Sequence, residues 1–257
     1  MIDIHCHILP GVDDGAADTA ESLEMARMAA SDGIQTLVAS PHSLNGVYEN
    51  NVEQIRNNVA QLQGEINREG LPLTLCTGSD AHICAGMMAQ VRDGRAATIN
   101  DTGVYLLVEF PSQSTPPGFR DELFELRLNG ITPIITHPER HPVLRNDPEL
   151  IMELSNAGCL HQVTALSVTG GFGRDAMESA HYLIRCRLAH FIATDAHSPD
   201  NRPPILSQAV EVAAKILGNT AEAEAMVLER PQAVLEGKPI SCPEPILPPK
   251  KKWWQIF

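Results

Sequence analysis

No run of 18 apolar residues occurs in these 257 residues, so no membrane-spanning helix is expected. The start, Met1-Ile2-Asp3-Ile4-His5, has neither a basic n-region nor an apolar h-region, so no signal peptide is expected. The six cysteines (Cys6, Cys76, Cys84, Cys159, Cys186, Cys242) include no C-x-x-C pair. They read as reduced, mostly buried thiols, and the cytoplasm is the expected compartment. None has an arginine six positions later, which excludes the Cys-x5-Arg phosphate loop of thiol phosphatases. Basic residues are scarce: 19 Lys and Arg face 32 Asp and Glu, for a net charge of −13. A nucleic-acid binder would want a basic face, so that class is set aside. An anionic substrate is not excluded, because bound divalent cations reverse the local potential. No G-x-S-x-G elbow is present, and no G-x-G-x-x-G follows the first strand. The nearest glycine cluster, Thr169-Gly170-Gly171-Phe172-Gly173, does not fit the dinucleotide pattern.

What is present is alternation. Apolar runs at 2–5, 34–39, 71–76, 104–109, 131–136, 160–163 and 190–193 read as strands. Helical spacing lies between most of them, at 19–31, 49–68, 118–129, 148–157 and 175–187. Near-continuous apolar strands imply a parallel sheet, and about seven such units favour closure into an α/β barrel over an open sheet. Hydrophobic residues at 43% suffice for its core. There is no internal repeat and no domain-sized linker. One barrel over 1–240 is expected, then a proline-rich tail over 241–257 that ends in Lys250-Lys251-Lys252-Trp253-Trp254-Gln255-Ile256-Phe257. The tail is either a frayed end or a small, weak contact for an anionic membrane surface or a partner groove.

Metal-ligand residues sit at the ends of these runs. His5-x-His7 leaves the first, with both imidazoles on one face; alone, such a pair also fits a structural role. Asp13-Asp14-Gly15 follows in a loop and fits a turn. His42 follows Leu37-Val38-Ala39-Ser40-Pro41, Asp80 lies in Gly78-Ser79-Asp80-Ala81-His82, and His137 follows Ile134-Ile135-Thr136. Glu109 closes Tyr105-Leu106-Leu107-Val108, where a carboxylate is costly unless paired or metal-bound. Asp195-x-His197 follows Phe191-Ile192-Ala193-Thr194, at the strand end where α/β barrels gather their active sites. Singly, His42, His137 or Asp80 fits a structural role equally well. Jointly, five or six strands would have to end in ligand residues by chance. Such ligands can converge on one pocket, and the mixed set exceeds one ion's needs. Two or three divalent ions sharing carboxylates would clamp phosphoryl oxygens. Arg140 follows His137-Pro138-Glu139, and Arg202 lies shortly after His197. Each is a candidate phosphate clamp or, failing that, a surface ion pair. His82 and His141 are nearest the ligand segments and are candidates for touching substrate. His161, His181 and His190 read as structural or surface residues.

Assembled, these segments resemble the PHP (polymerase and histidinol phosphatase) superfamily. Within it they are most similar to the bacterial manganese-dependent protein-tyrosine phosphatases of capsule and exopolysaccharide loci. The matching pieces are Met1-Ile2-Asp3-Ile4-His5-Cys6-His7 with Val12-Asp13-Asp14-Gly15, Val108-Glu109-Phe110, residues 131–140, and Thr194-Asp195-Ala196-His197 with Asn201-Arg202-Pro203-Pro204. They run from residue 1 to about 236. The resemblance implies a distorted (βα)7 barrel with its metal site at the C-terminal strand ends. It implies three divalent ions, manganese first, with iron, zinc and cobalt also allowed by ligand type. The ligand positions carry over onto His5, His7, Asp14, His42, Asp80, Glu109, His137, Asp195 and His197, and the phosphate-binding arginines onto Arg140 and Arg202. The implied reaction is hydrolysis of phosphotyrosine on protein, on the tyrosine-rich tail of a bacterial tyrosine kinase that controls polysaccharide export. One departure matters. The family usually has Glu where this chain has Asp80, so the backbone must come closer or one metal binds weakly. Two other readings stay open: a small-molecule phosphoesterase such as a histidinol-phosphate phosphatase, and a metal-binding regulatory protein with impaired catalysis.

Overall fold

Proline and glycine decide where the strands break. The computed structural model describes residues 1–246; the Lys/Trp segment, and the membrane or partner contact expected of it, lies outside the described residues. The strands are β1 (Ile2–Cys6), β2 (Thr36–Ala39), β3 (His42–Ser43), β4 (Thr74–Thr77), β5 (Asp80–His82), β6 (Tyr105–Glu109), β7 (Thr132–Thr136), β8 (Leu160–Thr164) and β9 (Phe191–Ala193). They form two parallel sheets, β1-β2-β4 and β3-β5-β6-β7-β8-β9. The expected strands at 34–39 and 71–76 begin later than the sequence suggests, and each is followed by a short second piece. Ser40-Pro41 separates β2 from β3, and proline brings no N–H to a ladder. Gly78-Ser79 separates β4 from β5 at a close approach: a Cβ on Gly78 would lie 2.6 Å from Val38 Cγ1.

Register then places the candidate ligands. Pairing of β3 with β5 sets His42 beside Asp80, and pairing of β5 with β6 sets His82 beside Glu109. The ends of β1 and β9 also meet. The Asp195 amide donates to the His5 carbonyl and the His7 amide to the Ala196 carbonyl, each at 2.8 Å. The buried Asp3 carboxylate accepts the amides of Thr194 (3.0 Å) and His5 (3.3 Å) and the Thr194 hydroxyl, tying the same two ends together.

Both strand faces are buried, as near-continuous apolar runs require. Ile2, Ile4 and Val38 of one sheet meet Tyr105, Leu107, Ile134, Phe191 and Ala193 of the other in an inner cluster. The alternate residues, such as Leu37, Leu106, Val108, Ile135 and Ile192, pack outward against helices. Helix Thr19–Ser31 starts where the Asp18 side chain accepts the Glu21 amide. The helix expected from 49 starts at Val52, because Asn51 and Gln54 form a capping box; it buries Ile55, Val59, Leu62 and Ile66. Helices Phe119–Leu128, Pro148–Asn156 and Arg174–Arg185 stand close to their expected positions. Ser207–Leu217, Thr220–Ala225 and Glu229–Leu235 go beyond the expected elements. The last of them sends Val234 and Leu235 into the inner cluster. No described helix is long and apolar enough to cross a membrane.

Candidate metal centre

The carboxyl ends of the strands bring all nine expected ligands to one place. His5 lies within β1 and His7 just beyond it; His42 and Asp80 open β3 and β5, and Glu109 closes β6. His137 follows β7 and Asp195 follows β9, both with left-handed backbones (φ 34° and 50°). A side chain with a Cβ adopts that conformation at a cost of about 1 kcal/mol or more. Here it turns both residues off their strands toward the others.

The distances are short throughout. His5 Nε2 lies 3.1 Å from His7 Nε2, 3.4 Å from Asp195 Oδ1 and 3.5 Å from Asp80 Oδ2. His7 Nε2 is 3.4 Å from the same Asp195 oxygen. His42 Nδ1 stands 3.5 Å from Asp80 Oδ2 and 3.4 Å from Glu109 Oε2. On its other side, His42 Nε2 is 3.4 Å from Asp14 Oδ1, which is also 3.6 Å from His197 Nε2. His137 Nε2 is 3.6 Å from Glu109 Oε1. Three sets of mutually close donors result: His7, Asp14, His42 and His197; His5, His7 and Asp80; His42, Asp80 and Glu109. His7, His42 and Asp80 each belong to two sets. The shorter Asp80 side chain therefore still reaches imidazoles on both sides.

The donor set fits divalent cations. Asp80 Oδ2 and His42 Nδ1 are buried without a hydrogen-bond partner, and a buried carboxylate oxygen is not tolerated alone. Burial holds the imidazoles neutral and their lone pairs free: His5 is pulled down to about 4, His137 to about 3 and His197 to about 2. Burial also pushes Asp80 well above the carboxylate range, reinforced by Glu109. Burial opposes ionisation of Glu109, but His82, His137 and His42 outweigh it and bring the group down to about 2. His7 is the exception. Burial works against its charge, but the Asp13 carboxylate overcomes this and lifts it to about 10. Asp13 Oδ2 holds His7 Nδ1 at 2.7 Å, so Nδ1 keeps its proton and a cation would take the place of the proton on Nε2.

Several residues of this centre are not legible as such in the sequence. Asp13 fits a turn there, and it does accept the Gly15 amide, but its other oxygen binds His7 and the His42 amide. Gln162 Oε1 orients His5 through Nδ1 at 3.0 Å. Glu139, fully buried, accepts the Thr164 amide and so ties the turn carrying His137 and Arg140 to β8. Both expected arginines reach the centre, where each donates to Asp195 Oδ2. His82 Nδ1 adjoins Glu109 at 3.4 Å. His141, a candidate for touching substrate, has both ring nitrogens engaged by backbone: Nε2 with the Pro111 carbonyl, and Nδ1 with the Leu144 amide. A cleft of about 670 Å³, lined by Arg56, Arg95 and Asp101, holds none of the nine. A smaller one of about 340 Å³ opens beside Glu109, His137 and Arg140.

A family model described as "Capsular polysaccharide synthesis, CpsB/CapC" matches residues 1–236. This chain belongs to the CpsB/CapC family. Among curated members, it is 36% identical over 248 residues to the tyrosine-protein phosphatase YwqE of Bacillus subtilis, covering 96% of each chain. It is 38% identical over 208 residues to a putative tyrosine-protein phosphatase CapC of Staphylococcus aureus, covering 81% of each. Crystal structures of YwqE from Bacillus subtilis and CpsB from Streptococcus pneumoniae are described as those of unique metal-dependent tyrosine phosphatases. One of these chains superposes with a TM-score of 0.91 at 36% identity, over 97% of this chain and 100% of that one.

Proposed function

We propose that this CpsB/CapC member is a metal-dependent protein-tyrosine phosphatase. The observation that carries the reading is the meeting of nine histidine and carboxylate donors with two guanidiniums at one set of strand ends. Divalent ions held there, together with the two guanidiniums, would set positive charge on several sides of a phosphoryl dianion. His5, His7, Asp14, His42, Asp80, Glu109, His137, Asp195 and His197 would hold three divalent ions, manganese first. Bound there, the ions would neutralise phosphoryl oxygens and acidify water near neutral pH. The chain's own part is positional. Asp13 and Gln162 fix the tautomers of His7 and His5. Arg140 and Arg202 would turn from Asp195 to the phosphoryl oxygens, whose charge bidentate forks match. The phenolate leaving group, with a pKa of about 10, departs without demanding assistance.

We also infer that the two sheets make one ring of seven positions, with β2 and β3 sharing one and β4 and β5 another. The contact of β1 with β9 and the inner cluster drawn from both sheets support this, with residues 1–240 as the catalytic unit. The substrate would be a phosphotyrosine protein, the tail of a bacterial tyrosine kinase, entering along the cleft beside Glu109 and Arg140. Six free thiols suit a cytoplasmic setting. The test is turnover by chelator-stripped protein refilled with manganese. Hydrolysis of a phosphotyrosine peptide that is lost on chelation is expected. Turnover of histidinol phosphate alone, or no rescue by any divalent ion, would overturn the reading.

A further inference from the structure

The glycine cluster that fits no nucleotide pattern carries an aromatic ring to the centre. It follows the short helix Ala165–Thr169 beyond β8. Gly170 (φ 93°) and Gly173 (φ 86°) adopt backbones that side chains rarely allow. A Cβ on Gly171 would lie 2.9 Å from Leu166 Cδ2. The turn is pinned by the Gly171 amide on the Leu166 carbonyl (2.7 Å) and the Gly173 amide on the Gly170 carbonyl (3.0 Å). The product of this construction is the placement of Phe172. Its ring centroid lies 4.3 Å from Arg140 Cζ and 5.6 Å from Arg202 Cζ.

Two like charges so close repel, and two features offset this. One is Asp195 Oδ2, on which both guanidiniums converge. The other is the negative π face of Phe172. Arg202 Nε is also buried without a partner, a donor left for an incoming oxygen. A phosphoryl group that draws the guanidiniums from Asp195 leaves the ring as the surface that keeps them together.

We propose that Phe172 is a positioning residue whose ring face holds Arg140 and Arg202 side by side so that both address one phosphoryl group. The proposal rests on the phosphatase reading above. It explains why the loop is built from glycines: the turn exists to bring this ring under the arginines.

The test compares Phe172→Leu, which keeps apolar bulk without a π face, with Phe172→Tyr, which keeps the face. In the metal-loaded full chain, orthophosphate affinity is measured by calorimetry and kcat and KM on a phosphotyrosine peptide. The leucine variant should lose roughly tenfold in orthophosphate affinity and in kcat/KM, and the tyrosine variant less than about twofold. Metal content should be unchanged in both. A readout independent of turnover is the ring-current shift of the Arg140 and Arg202 Nε–H signals by NMR, lost in the leucine variant and kept in the tyrosine variant. Leucine and tyrosine variants that behave alike, whether intact or impaired, would overturn the proposal. If the parent neither binds orthophosphate nor cleaves the peptide, the phosphatase reading fails. The NMR contrast then decides alone whether the ring holds the arginines.

Discussion

Asp13→Asn removes one negative charge from beneath the centre without changing size. The Asp13 side chain is fully buried. Its Oδ2 accepts from His7 Nδ1 at 2.7 Å and from the His42 amide at 3.0 Å, and its Oδ1 accepts the Gly15 amide at 2.9 Å. All three partners are donors, so no orientation of an amide satisfies them. With the amide oxygen toward His7 and His42, the NH2 group faces the Gly15 N–H. With the NH2 group toward His7, Nδ1 must give up its proton. That proton then resides on Nε2, the atom proposed to bind a cation. The first orientation leaves a buried donor unmet and weakens a charge-assisted bond, a loss of about 1.5–3 kcal/mol. That corresponds to a roughly 10- to 100-fold fall in affinity, the range seen when outer partners of metal-ligating histidines are removed. Calorimetric titration of manganese into chelator-stripped protein reads this directly, with thermal unfolding of the stripped protein as the control for folding. Parent-like manganese affinity in Asp13→Asn would show that the Asp13–His7 bond does not govern cation binding.

Arg140→Ala and Arg202→Ala should each lower kcat/KM on phosphotyrosine by about 10²- to 10³-fold with metal content intact; loss of metal would instead make the arginines structural. Gly78→Ala should destabilise by about 1–3 kcal/mol in urea unfolding, because its Cβ would fall 2.6 Å from Val38 Cγ1. Burial pulls His161 down to about 4, from an ordinary value near 6.5. The unfolded chain therefore binds a proton below pH 6.5 that the native chain refuses, and stability falls as pH drops from about 6.5 to about 4. By pH 5 this amounts to about 2 kcal/mol from His161. Equal urea midpoints for stripped protein at pH 7 and pH 5 would contradict it.

Much of the centre was legible because its chemistry is local. A carboxylate closing Tyr105-Leu106-Leu107-Val108, or Asp195 after Phe191-Ile192-Ala193-Thr194, conflicts with its apolar run, and that conflict is visible in one dimension. The strands β3 and β5 were not legible: two or three residues carry no periodicity, and their existence depends on the breaks at Pro41 and Gly78. Asp13 was hidden for another reason. Asp-Asp-Gly is good turn chemistry, and the turn is real, so nothing local reveals that the second oxygen reaches His7. Gln162 and Phe172 depend wholly on which strand ends meet. Asp80 posed the opposite problem. The family resemblance marks it as one methylene shorter than the usual Glu, and in the fold it lies 3.5 Å from both His5 and His42.

These nine side chains would hold three divalent ions. Protein purified without chelators, crystallised and measured at the manganese absorption edge, tests this most directly. Three anomalous peaks are expected: beside His5, His7, Asp80 and Asp195, beside Glu109 and His137, and beside Asp14, His42 and His197. A single peak, or none within reach of Asp80, would rule out a three-ion centre.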